Sequence, residues 1–466
     1  MKIIVPTEIN DTGFVSSDVP EADYAEFSMG TNYGAGDTVI DSTGVEILTL
    51  DVAPATAWIP GRLITGQSSG ETCYVVEKLT SLTYTVRERT GAFTLGEIIG
   101  VTGVGAELAD QGAAHPTITP ATEKVHKIYE ALSASGMEII TLDVAPSTPW
   151  LPPWTITGQT SGKTCVIVQY LTPLTYLVKE RSGAFTLGEV VGVTGTPSLL
   201  ADQGAANPVF STAVNVAHYP PTDLLRSTPL WWKEISATNR WKPFDGKIGS
   251  QAEQSESISY SLTPGMIESI AFLNLDASSI KITITDPSEG VVYDETIDLV
   301  MTDSRGISLI YDWYSYFFGT APKTTDVVKL DLPPYPSATL DIEISNPGLT
   351  AKVGEIVVGI NADLGMRKHG TGLSISDYST KAADEYGSYT IAERSYAKRL
   401  TVSLHVDNLY LDEVYRILAL YRATAVVWVA SEDYAAMIVF GFYKNFEIVV
   451  QYDTWSDCSI EIEGLT

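Results

Sequence analysis

The sequence predicts an all-β, multidomain chain. Three observations carry that prediction. Short runs alternate apolar and polar residues with period two, between turns rich in Gly, Pro, Asn and Asp, through most of the 466 residues. One Gly-punctuated block occurs twice. Only one segment, 409–423, holds apolar residues at helical spacing: Leu411, Val414, Ile417, Leu418 and Tyr421, with Asp412 and Glu413 in the first turn and Arg422 in the last.

The bulk composition bounds the function. A chain of 466 residues exceeds one core and suggests roughly three domains. Apolar residues make up 44%, enough for a core, whereas charged residues are only 18%. A surface rich in Ser, Thr, Asn and Gly suits an extracellular or assembled β-protein better than a cytosolic enzyme. The net charge of −28 argues against nucleic acid, which needs clustered Lys and Arg, and against anionic membrane surfaces. No segment reaches membrane-span length, and "MKIIVPTEIN" lacks the apolar run of a signal peptide. The expectation is synthesis in the cytoplasm without ordinary export. Cys73 and Cys165 sit at equivalent places in the two copies, which is not how a disulfide framework is laid out. They read, with Cys458, as small buried hydrophobes.

Residues 45–116 recur as 137–208 at an offset of 92 without a gap, and about two thirds of the paired positions are identical. The shared landmarks are "LDVAP", "ITGQ", "GAFTLGE", "GVTG" and "ADQGAA". "TCYVVEKL" and "LTYTVRER" alternate like short strands, and Phe93 and Phe185 follow Gly-Ala turns toward a small core. Each copy is expected to be a small β-module.

The flanks of the copies contain "YGAGDTV" (33–39), "IYEA" (128–131) and "LWWKEI" (230–235). In that order they resemble the small carbohydrate-binding modules found beside chitinases and cellulases. The matching residues are Tyr33, Gly36, Asp37 and Val39, then Tyr129 and Ala131, then Pro220, Trp232 and Ile235. Residues 1–44, 117–136 and 209–238 are therefore expected to form one discontinuous β-domain, with the copies inserted in its loops, where insertion costs little. The resemblance implies exposed aromatics after the Tyr-x-Ala strand, but that stretch is "LSASG". Tyr33 and Trp231 remain as glycan-binding candidates. The Trp231–Trp232 pair reads as core packing before it reads as a sugar site.

Residues 239–362 carry six strand-like runs separated by turns such as Asp-Pro and Asn-Pro, as in a jelly-roll-like β-sandwich. Among them, "YDWYSYFFG" (311–319) reads as a core strand with its loop, or as an exposed interface patch. Residues 363–466 are expected to form a C-terminal β-sandwich carrying the helix 409–423. "DLGMRKHGTG" (363–372) places Arg367, Lys368 and His369 in a turn, as a solvated loop or a salt-bridge site to a neighbouring subunit. The phrases "NRWKPFDGKIG", "DWYSYFF", "LPPYPSATL", "RATAVVWVASEDY" and "CSIEIEGLT" are similar to a family of tailed-bacteriophage tail and tail-fibre-associated virion proteins, and the duplicated block resembles an insert recurring in phage structural proteins. That likeness implies a virion component assembled in the host cytoplasm.

No catalytic or metal constellation is apparent. The five histidines lack ligand spacing, and His115 becomes Asn207 in the second copy. Nucleophile elbows, Walker loops and dinucleotide fingerprints are missing. Asp51, Glu97 and Asp110 recur as Asp143, Glu189 and Asp202, which would suit paired acids but reads first as turn capping. Together with the resemblance to phage tail proteins, this implies a non-enzymatic structural protein of a phage tail, without cofactor. Its expected partners are other tail or fibre proteins and further copies of itself. The alternative is an adhesin that binds a host surface glycan.

Overall fold

A computed structural model describes residues 1–21, 24–28, 33, 36–41, 44–58, 60–102, 105–112, 114–120, 126–131, 137–150, 154–172, 174–193, 199–204, 207–212, 232–300, 323–383 and 389–465. The fold is all-β, with one α-helix among the described residues. It divides into two compact units, Tyr24–Ile235 and Met1–Asp23 with Ser236–Thr466.

In the unit Tyr24–Ile235 each repeat forms its own antiparallel seven-stranded sheet. Nine buried positions of the first copy, from Leu48, Trp58 and Cys73 to Ile99, recur 92 residues later as Ile140, Trp150, Cys165 and Val191. The expected burial of both cysteines holds, and exclusion from water pushes each thiol up to about 12. Each sheet extends past the repeated sequence. Thr117–Pro120 pairs with Glu46–Thr49, and Val209–Thr212 pairs with Met137–Thr141. Residues 117–120 and 209–212 therefore belong to the inserted modules and not to the surrounding domain. Strand pairing is a backbone property, so it continues where sequence identity stops.

Between the copies, Ala25–Glu26, Thr38–Asp41, Lys127–Ala131 and Trp232–Ala237 build a four-stranded sheet. Its core joins Phe27, Val39, Tyr129, Ala131 and Trp232 to Val76 of the first copy and Leu177 of the second. The three flanking segments thus meet in space, although residues 1–17 do not join them.

Those N-terminal residues complete the other unit. Strand Lys2–Pro6 lies between Glu355–Asp363 and Val426–Val429, antiparallel to both, in a ten-stranded sheet. Phe14–Ser17 edges a five-stranded sheet beside Ala252–Leu262. The expected boundary at 362–363 disappears, because one sheet carries strands from both sides of it. At Ser269–Leu273 both faces of that sheet are buried: Ile270 and Phe272 face the five-stranded sheet, whereas Ala271 and Leu273 enter a separate core with Ile4 and Val427. A third core gathers Leu400, Val402, Leu404 and Trp428 under helix α1, Leu411–Leu420.

Helix α1 is shorter than the expected 409–423. Asp412 and Glu413 occupy its first turn as expected, while Arg422 lies beyond its end and donates to the Ala419 carbonyl at 3.0 Å. Val414 and Leu418 are its buried face. The aromatic run 311–319 lies outside the described residues.

"NRWKPFDGKIG" folds as a loop on this unit. Trp241 stacks on Phe14 at 4.8 Å, and Phe244 meets Tyr260 edge-on at 5.5 Å. The Asp245 carboxylate accepts from Lys247 N (2.8 Å) and Ser250 Oγ (2.7 Å), while Glu355 accepts from Gly246 N at 3.1 Å. Burial, then the charge of Asp245, pushes Glu355 up to about 9. Such a group contributes stability fully below the ordinary glutamate range, and that contribution is lost as pH rises toward about 9. Glu355→Gln retains the acceptor and removes the titration. It is expected to leave stability unchanged at pH 5 and to raise it by about 2–4 kcal/mol at pH 8. Urea midpoints at the two pH values check this, and equal midpoints at pH 8 would reject it.

Candidate functional site

Of the two glycan candidates, Trp231 lies outside the described residues. Tyr33 belongs to an aromatic cluster. Its ring stacks on Phe27 at 5.6 Å and meets Trp232 edge-on at 5.2 Å, and its hydroxyl accepts from Ser28 N at 2.8 Å. One face of Tyr33 is thus covered by Phe27. Trp232 is fully buried.

Of the three repeated acids, two hold turns, while Asp110 and Asp202 are exposed at strand ends. In the first copy Glu97 Oε2 accepts from Ser68 N (2.9 Å) and Ser69 N (2.8 Å), and Oε1 from Ser69 Oγ (2.8 Å) and Thr94 N (2.7 Å). In the second, Glu189 accepts from Thr160 N, Ser161 N, Ser161 Oγ and Thr186 N at 2.7–3.0 Å. Burial alone would raise both carboxyls, but the hydrogen bonds outweigh it and hold each below the usual range. Asp51 and Asp143 accept from Gly112 N and Gly204 N, and Gln111 and Gln203 clamp the same turns. Gly100 and Gly192, at φ +145° and +151°, allow a close approach: a Cβ there would stand 1.9 Å from the carbonyl of Glu107 or Leu199.

The copies differ where their side chains leave the shared pattern. Arg62 forms a bidentate pair with Glu107 at 2.7 and 2.9 Å. The equivalent residues, Trp154 and Leu199, belong to one apolar cluster. Both solutions close the same end of the module, one polar and one apolar.

The unit with Met1–Asp23 presents two exposed features. One is a cleft of about 1160 Å³, lined by Met366, His405, Tyr410, Ile417 and Trp455, with Asp363, Asp407 and Glu413 among its acids. Helix α1 supplies Glu413 and Ile417, and strand Tyr396–Asp407 supplies His405 and Asp407. The Trp455 ring is fixed by Tyr452 (4.4 Å), by the His405 edge (4.3 Å) and by the Lys368 ammonium 5.2 Å away over its face. Lys368, in the turn read as a solvated loop or as a salt-bridge site to a neighbouring subunit, is paired with Asp457 of its own chain. Tyr410 is 59% exposed at the rim. Such a surface can stack on a flat apolar face and accept hydrogen bonds from hydroxyls or amides beside it.

The second feature is a long β-hairpin. Gly372–Asp377 pairs with Tyr396–Asp407, and beyond it Thr380–Ala383 and Tyr389–Ala392 continue as a two-stranded ribbon. Its large apolar side chains stand in solvent. Sequence reading missed both features. The cleft is assembled from segments up to about ninety residues apart, and alternation reports a strand without reporting whether a layer covers it.

Among the described residues, no group of three or more His, Cys, Asp or Glu is placed to hold a metal. No helix among them is long and apolar enough to cross a membrane. Comparison with protein-family models and with curated protein sequences finds no match.

Proposed function

We propose that this chain is a non-enzymatic structural component of a bacteriophage tail, at the fibre or baseplate, that mediates protein–protein assembly. The observation that carries the reading is the uncovered hairpin. Leu373, Ile375, Tyr389 and Ile391 project from strands that no layer covers among the described residues. Clustered exposed apolar side chains mark interaction sites, and an isolated ribbon is only marginally stable until something packs on it. The proposed setting rests on the resemblance of the 239–466 phrases to phage tail proteins. Cryo-EM of particles carrying a tagged copy of this chain is the test. Density at the tail or fibre base is expected, and particles without the tag at any tail position would overturn the proposal.

The glycan reading is favoured by a different observation, the Tyr410–Trp455 cleft with its flanking carboxylates. Binding to host polysaccharide lost on Tyr410→Ala, but kept on Tyr33→Ala, would place a sugar there. Loss on Trp231→Ala or Tyr33→Ala instead would return the site to the carbohydrate-module-like sheet.

A further inference from the structure

We infer that a second copy of this chain docks on the free edge of the ten-stranded sheet, along strand Gly372–Asp377 and the ribbon beyond it. This rests on the assembly reading above and names the partner. The strand is hydrogen-bonded on one side only, with Leu373 opposite Leu400, Ile375 opposite Lys398 and Asp377 opposite Tyr396. Among the described residues no strand pairs with its other side.

Open edges invite pairing unless they are blocked. The opposite edge of the same sheet is blocked. It is the three-residue strand Val327–Lys329, whose lysine is paired with Glu295, and Pro333 and Pro334 follow soon after. The strand Gly372–Asp377 itself carries no Lys and no Pro, its Asp377 is neutralised by Lys381 of the ribbon at 2.7 Å, and residues 371–376, "TGLSIS", are uncharged. In a chain of net charge −28, that is a stretch two copies can share without repulsion.

The strand is also self-complementary. Antiparallel pairing about a twofold axis at Ser374 sets Leu373 opposite Ile375 of the second copy. It sets Asp377 opposite Thr371, so the two acids lie at opposite ends. Apolar side chains then meet across the new pair on the face that already carries Leu400. Leu373, Ile375 and Tyr378, along this edge, are 48–62% exposed. At roughly 100 Å² each they offer about 300 Å² per copy before the paired backbone is added, below the about 800 Å² per partner of a standard stable interface, so the contact is a weak, concentration-dependent one.

The test uses the full chain. Light scattering after size exclusion, from about 1 to 100 µM, is expected to show a species of twice the chain mass. Ile375→Asp is expected to weaken association at least tenfold with an unchanged circular dichroism spectrum, because Ile375 is exposed. Ser374→Cys is expected to cross-link two copies under mild oxidant, since directly opposed residues lie within disulfide range. Ser255→Cys, exposed on the other sheet, is expected to stay uncross-linked. The three native thiols are buried and add no background. A monomer at every concentration, a dimer indifferent to Ile375→Asp, or equal cross-linking by both cysteines would overturn the inference. A monomer in solution whose tagged form still occupies the tail would overturn this contact alone and leave the assembly reading standing.

Discussion

Arg87→Met is expected to destabilise the unit Tyr24–Ile235 by about 3–5 kcal/mol, the cost of breaking a buried ion pair from one side. The Arg87 guanidinium is almost fully buried. It sits 2.9 Å from Asp41, which is fully buried, and 2.8 Å from Glu26, donates to the Phe27 carbonyl at 3.3 Å and lies over the Phe27 ring. Removing it takes the nearest cation from a carboxylate that water does not reach. The repeat supplies an internal control. Lys179 occupies the equivalent position of the second copy, with nearly half its side chain in solvent. Lys179→Met is expected to change stability by no more than about 0.5 kcal/mol. Urea denaturation of the two variants measures the contrast, and equal losses would refute the assignment. Combining Arg87→Met with Asp41→Leu is expected to recover at least half of the loss, because both buried charges then go together.

Glu97→Ala and Glu189→Ala are each expected to cost about 2–4 kcal/mol, since each strands donors now satisfied by one carboxylate. Equality between the copies is the informative part, because both carboxylates have the same four kinds of donor. The pH dependence has a defined sign. A carboxyl held below its ordinary range contributes stability that is present above the usual glutamate value and lost as pH falls through the depressed one. The penalty of Glu97→Gln is therefore expected to be largest near neutral pH and to shrink under acid conditions. Thermal unfolding of wild type and variant between pH 3 and 7 checks it. A penalty independent of pH would show that the ionised form is not what holds the turn.

These two sites explain the duplicated decapeptides "ITGQSSGETC" and "ITGQTSGKTC". The strand, the turn wrapped on a glutamate and the buried cysteine are local features, and local features are legible because their contacts lie within one block. The same holds for helix α1, whose spacing and first-turn acids announced it. The candidate site was much less legible. Tyr33 was named from its motif, yet its neighbours Phe27 and Trp232 cover part of it, and no spacing rule reports that. The cleft at Trp455 draws on residues 361–366, 405–417 and 454–455, which share no sequence signal.

By itself, the sequence determined the all-β class and the two matched modules. Alternation, turn residues and duplication are written in neighbouring positions. Only the tertiary structure decided that strand Lys2–Pro6 lies between Glu355–Asp363 and Val426–Val429 and fuses two expected sandwiches into one sheet. Such a pairing joins positions hundreds of residues apart through backbone hydrogen bonds that any side chain permits. Tertiary structure alone also separated Arg87 from Lys179. Matched positions in the duplicated blocks acquire opposite fates because burial depends on what the rest of the fold brings against them, not on the block that carries them.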